Sequence, residues 1–144
     1  MTPANNLLPY YQQVEKCLET LGILPEKARR ENLGEWTITK GSATIHIYVQ
    51  YLEKNQDYYF WVISPVCNVP DEQYLRKFYE ELLETNHTLY GVAFTKYEDW
   101  VYIKCIRELK GIDLEEMFNI ITRVANYTDM YDDVFFAKYG TNMP

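Results

Sequence analysis

Apolar positions recur along this chain with two spacings, and the order in which those spacings alternate predicts its elements. Over residues 7–21, Tyr10, Val14, Cys17, Leu18 and Leu21 fall at helical spacing. Pro9 suits the first turn, and Gly22 suits the left-handed position that ends a helix. The charged connector that follows contains Pro25 and runs to Gly34, reading as a loop with room for one helical turn. From Glu35 the period falls to two. Trp36 and Ile38 share one side of a strand over residues 35–40, and Gly41-Ser42 reads as a tight hairpin turn. The next strand places Ala43, Ile45, Ile47, Val49 and Tyr51 on one face, with Thr44, His46, Tyr48, Gln50 and Leu52 on the other.

A polar turn over residues 53–57 leads into Tyr58-Tyr59-Phe60-Trp61-Val62-Ile63, which is apolar on both faces. A strand of that kind is covered on both sides, and one layer of helices covers only one. The second face therefore calls for another helix or a partner chain. Pro65 and Pro70 bracket the strand's exit, and Asp71 is placed to cap a helix reaching His87. Tyr74, Leu75, Phe78, Tyr79, Leu82 and Leu83 form its wide apolar face. Two strands, over residues 89–96 and 100–108, flank Tyr97-Glu98-Asp99, with Gly91 and Ala93 on one face and Tyr90, Val92 and Phe94 on the other. After Lys110-Gly111, Asp113 with Glu116 three residues later marks a capped helix start. The apolar period continues from Leu114 through Tyr131 and Phe135 to Gly140, and residues 141–144 are expected to fray. This order, α-β-β-β-α-β-β-α, predicts one α+β domain over residues 1–144, built on an antiparallel five-stranded sheet.

Composition changes that picture in two ways. At 144 residues, 47% of them apolar, the chain can bury one sizeable core without disulfides or metal. Aromatic residues are the anomaly: 14 Tyr, 6 Phe and 3 Trp make up 16% of the chain. Tyrosine combines a large apolar ring with a polar tip, a combination favoured at interfaces. Tyr48, Tyr59, Trp61, Trp100 and Tyr102 are therefore candidates for a partner-binding face, against the plainer reading that they pack the sheet. The net charge of −7 repels phosphate backbones and anionic lipid, so neither nucleic acid nor membrane is an expected partner.

Candidate chemistry is sparse. Cys17, Cys67 and Cys105 are odd in number and match neither a zinc site nor a redox pair, which suits buried thiols in a reducing compartment. The residues near the N-terminus carry no basic leader pattern and no segment approaches membrane-spanning length, so a cytoplasmic location is expected. Two histidines, His46 and His87, are too few for a histidine metal site. Nothing around Ser42 or Ser64 resembles a nucleophile elbow. Glycines form no phosphate-binding loop. The acidic groups Glu80, Glu81, Glu84 and Asp129, Asp132, Asp133 lack calcium-loop spacing and read as solvated helix faces. No catalytic residue, metal or cofactor is expected.

The element order resembles the fold of the type III secretion chaperones. The closing stretch over residues 124–140 is similar to the last helix of the YbjN-like family, described as bacterial sensory-transduction regulators. There an Ala (here Ala125), a Tyr-Asp-Asp-like step (Tyr131, Asp132, Asp133), an apolar pair and a terminal aromatic-Gly (Tyr139, Gly140) recur in this order. The resemblance implies a small cytosolic protein-binding module, often dimeric, without catalytic residues, and it carries over no site residue. Together these readings predict a non-enzymatic, chaperone-like homodimer that also binds a protein or peptide client, with edge-strand pairing as the means of capture. The alternative is a ligand-sensing regulatory domain holding a small apolar molecule between sheet and helix, in a pocket lined by Phe60, Val62, Phe78 and Leu82.

Overall fold

The computed structural model describes residues 4–144, with side chains from Asn6 onward; the first residues of the expected leader-free N-terminus lie outside the described residues. Helix α1 (Ala4–Thr20) and the single turn α2 (Pro25–Ala28) precede strands β1 (Glu35–Lys40), β2 (Ala43–Leu52) and β3 (Asp57–Asn68). Helix α3 (Leu75–Asn86), strands β4 (Ala93–Tyr97) and β5 (Trp100–Glu108), and helix α4 (Leu114–Tyr139) complete the chain. The five strands form one antiparallel sheet in the order β1-β2-β3-β5-β4. It is the α+β architecture predicted from the segment order.

Local signals explain most element ends. α1 stops at Gly22 (φ 79°), where Gly22 N–H donates to Glu19 O and Ile23 N–H to Leu18 O, the paired bonds of a left-handed helix cap. Lys40 pairs with Ala43 across the two-residue turn Gly41-Ser42, whose glycine sits at φ 60°. The Asp113 carboxylate accepts from Glu116 N–H at 2.8 Å, and α4 ends at Gly140 in the left-handed region.

Several expectations change. Pro9 lies inside α1 on its exposed side instead of in the first turn; the ring is accommodated because it faces water and the cost is one backbone bond near the helix start. β3 does not end at Pro65. A bulge between Pro65 and Cys67 carries the strand on to Asn68 and turns Val66 and Cys67 both inward. The Asp71 side chain makes no capping bond, because a 3-10 turn (Glu72–Tyr74) intervenes before α3. On α3 only Phe78 and Leu82 are buried, and Leu83 is 71% exposed. Gly91, at φ 68°, turns the chain before β4, so Tyr90 stands exposed while Val92 is buried and the strand is shorter than its apolar pattern.

The tail is not frayed at its start: Thr141 is buried, Asn68 N–H donates to Asn142 O (3.0 Å), and the Asn68 side chain accepts from Asn142 N–H (2.8 Å). Asp132 is no solvated carboxylate either. It is buried against the β1–β2 turn, where the Ser42 hydroxyl donates to it at 2.8 Å and also to Asp129. Glu81, on α3, pairs with Lys138 and accepts from the Tyr139 hydroxyl, joining α3 to the end of α4.

Among the described residues, helices α1, α3 and α4 pack on one side of the sheet. α4 crosses β2, β3 and β5, with Met117, Ile121, Val124 and Phe135 fully buried. α1 packs on α4 and reaches β1, where the Trp36 indole donates to Glu15, itself paired with Arg29 at 2.6 Å. Phe78, Phe94, Phe135 and Tyr139 meet edge to face or tilted, with centroids 5.2–6.4 Å apart. Phe60, Val62, Phe78 and Leu82, the residues of the alternative apolar pocket, belong to this one contiguous core.

Candidate partner-binding face

The pleat decides which residues line the uncovered side. β2 and β3 pair with Tyr48 opposite Trp61 and His46 opposite Ile63, and β3 and β5 pair with Ile63 opposite Lys104 and Pro65 opposite Tyr102. All of these point away from the helices, since their neighbours Ile47, Val62 and Ile103 are fully buried on the other face. Each is only half-buried. Among the described residues, no helix crosses this face.

At its centre the Tyr48 and Trp61 rings stack, 4.2 Å between centroids and 17° between planes. The Lys104 ammonium sits 5.1 Å from the Trp61 ring centroid, and the indole N–H donates to Gln50 at 3.0 Å. Trp61 is thus held by a stack, a cation and a hydrogen bond while staying half exposed. Around it Ile63, Tyr102 and Tyr97 enclose a shallow groove of about 500 Å³. Beside the groove His46 Nδ1 lies 3.0 Å from Thr37 Oγ1. Burial, aided by the Arg30 charge, holds the His46 imidazole below its usual value, so it is neutral at pH 7. Burial and the nearby Glu35 carboxylate push the Tyr48 phenol up, so it remains a hydrogen-bond donor.

Of the five residues singled out from sequence, Tyr48, Trp61 and Tyr102 come together in this groove. Tyr59 lies on the same face but further along β3, opposite Gln50 and Glu108, with its hydroxyl bonded to Asn55. Trp100 occupies the opposite end, paired with Asn68 and Tyr97. Ile63, Tyr97, His46 and Lys104 were missed. Strand parity would have found His46 and Ile63, but the pairing of β5 with β3, which brings Lys104 over Trp61, has no local signal.

A second cleft, between the Gly91 turn and the first half of α4, holds Arg107 paired with Glu116 and Arg123 stacked 4.5 Å over Tyr90. Its charges are largely matched within the chain, and its contacts tie that turn to α4. The thiols stand apart from any reactive arrangement: burial pushes Cys17 and Cys67 up to about 11 and raises Cys105 as well.

Several solved structures share the fold, three of them as follows. The ExsC–ExsE complex aligns with a TM-score of 0.62 and 11% identity, over 88% of this chain and 92% of that one. The HopA1–SchA chaperone–effector complex gives 0.65 and 9%, over 92% and 99%. YbjN from E. coli, titled "a putative transcription regulator", gives 0.53 and 11%, over 99% and 97%. At these identities the likeness is one of fold, the type III secretion chaperone-like α+β fold. No curated protein sequence matches the chain. The YbjN family model, described as "Putative bacterial sensory transduction regulator", matches residues 11–137. With a match over most of its length, the chain belongs to the YbjN family.

Proposed function

We propose that this protein is a non-enzymatic, chaperone-like binding module of the cytoplasm, and that it holds a segment of another protein against the uncovered face of its sheet. The observation that carries the reading is the fixed aromatic surface of Tyr48, Trp61 and Tyr102, which no helix covers among the described residues. Rigid, half-buried aromatic rings with polar tips supply contact area at low entropic cost. Tyr59 and Trp100 extend the surface towards its two ends. Two of the structures that share the fold are complexes of two proteins, one of them titled a chaperone–effector complex. The free thiols, two of them buried, support a reducing compartment.

Affinity capture from native lysate tests this, with Trp61→Ala and Trp100→Ala as controls. Trp61→Ala should lose the partners that wild type retains, and Trp100→Ala should weaken them less. Retention of every partner by both variants would make the aromatic face mere packing.

Homodimer formation is the second part of the proposal. It is supported on the helical side, where Leu83 of α3 and Phe136 of α4 stand 71% and 62% exposed. Pairing there leaves the sheet faces of both copies free. Sedimentation at micromolar concentration should give a dimer that Leu83→Glu or Phe136→Glu dissociates; a monomer at crystallisation concentrations would remove this part.

A further inference from the structure

We infer that the segment held on the open face is acidic and carries an aromatic or aliphatic anchor, so that neither a second copy of this chain nor a nucleic acid is the occupant. The inference rests on the protein-binding reading above and concerns its selectivity. The chain has 21 acidic against 14 basic residues, yet no carboxylate lines the groove, where Lys104 is the cation on the open face: the neighbouring His46 is neutral, and Lys96 sits at the register position of core-facing Val101. Acids stand around the groove: Glu35 opposite Tyr48 on the edge strand, Glu108 opposite Tyr59, and Glu98 and Asp99 in the turn that follows Tyr97. Lys104 therefore makes a locally positive spot on a negative molecule, which steers an acidic partner to it.

Lys104 is the centre of that spot. Its ammonium lies over the Trp61 ring, and no ion pair to a carboxylate is formed by it among the described residues. An ammonium has three donors, and a ring face engages it without using them all. A carboxylate of an incoming segment can bond Lys104 while the adjacent apolar side chain covers Trp61 and Ile63. The groove volume of about 500 Å³ suits side chains of that size.

The competing occupants fit less well. Two copies joined symmetrically through this face would set Lys104 and its neighbours against the same residues, with no carboxylate in either groove to receive them. A nucleic acid would gain Lys104 but meet the repulsion of a chain at net −7.

The test is a selection from a random dodecapeptide display library on the full-length protein, counter-selected on Trp61→Ala. Synthesised winners are then titrated by fluorescence anisotropy against wild type, Lys104→Glu and the milder Lys104→Gln, each checked for native thermal unfolding. A Trp61-dependent pool rich in Asp and Glu beside Phe, Leu or Trp, binding Lys104→Glu at least tenfold more weakly, is expected. A Trp61-dependent pool that is neutral or basic, or one indifferent to Lys104, would overturn the acidic selectivity and leave the protein-binding reading standing. No Trp61-dependent pool at all would overturn both. Displacement of the peptide by lower concentrations of oligothymidylate would assign the face to nucleic acid, and dimers abolished by Trp61→Ala would assign it to a second copy; either result overturns the inference.

Discussion

The two faces of the sheet are built from the same strands and differ in almost everything else. Along β3, Phe60 and Val62 have no exposed surface and pack under α4, while Trp61 and Ile63, one residue on from each, stay half exposed. The buried face joins a contiguous core of aliphatic and aromatic side chains. The open face has fewer apolar groups, but they are oriented by specific partners: a stacked tyrosine, an ammonium and an amide oxygen around one indole. A period of two separates stability from recognition on a single strand. Neighbouring residues should therefore respond to substitution in different measurements.

The sharpest form of that contrast pairs Phe135 with Trp61. Phe135→Ala removes a fully buried ring that meets Phe78, Phe94, Tyr131 and Tyr139, and should cost about 3–5 kcal/mol in urea unfolding. Trp61→Ala forfeits one stack and a half-buried ring, so the same assay should register roughly 1–2 kcal/mol, while partner retention drops steeply. Equal losses of stability from the two variants would break the division between the faces.

A smaller effect is expected where the tail closes the end of β3. Asn68→Ala deletes the acceptor for Asn142 N–H and should cost about 0.5–1.5 kcal/mol, read as a lower unfolding midpoint with partner binding unchanged.

The smallest effect concerns pH on the helical side. Burial pushes the Asp132 carboxyl above its usual 3.8, with the Ser42 hydroxyl pulling the other way. Its folded value is the higher one, so its protonated form favours folding. The contribution is whole below the unfolded value and is lost as pH rises through the folded one. Asp132→Asn should therefore raise the unfolding midpoint at pH 7, by a margin that shrinks as the pH falls towards 3.8. A margin that grows on acidification would contradict a raised carboxyl. Asp129, exposed beside it, shifts the opposite way because Ser42 donates to it.

How much of this was legible in the sequence follows from the range of each interaction. The alternation in β1 to β3, the Gly41-Ser42 turn, the Asp113 cap and the stop at Gly140 are local, each written within a few residues. The burial of Asp132 against Ser42, 90 positions away in sequence, is not local. Neither is the bond between Asn68 and Asn142, which ties down a tail that composition alone leaves loose. The Gly91 turn is hidden for another reason. The apolar run around it fits a strand, and only the observed left-handed backbone separates exposed Tyr90 from buried Val92. On the open face, parity placed Tyr48 on its strand's second side and the β2–β3 pairing sets it opposite Trp61, but it is the insertion of β5 between β3 and β4 that brings Tyr102 beside them. The apolar character of both sides of β3 was legible from the start, and the structure places helices against one of them.

The central claim, that the second side is a protein-binding surface, is tested most directly by site-specific photocrosslinking in living cells. A benzophenone amino acid would replace Tyr102 on the open face and, as its counterpart, Phe136 on exposed α4. Crosslinks to a different protein at position 102, absent at position 136 and abolished by Trp61→Ala, are the expected result. No crosslink at position 102, or the same partners from both positions, would contradict the account.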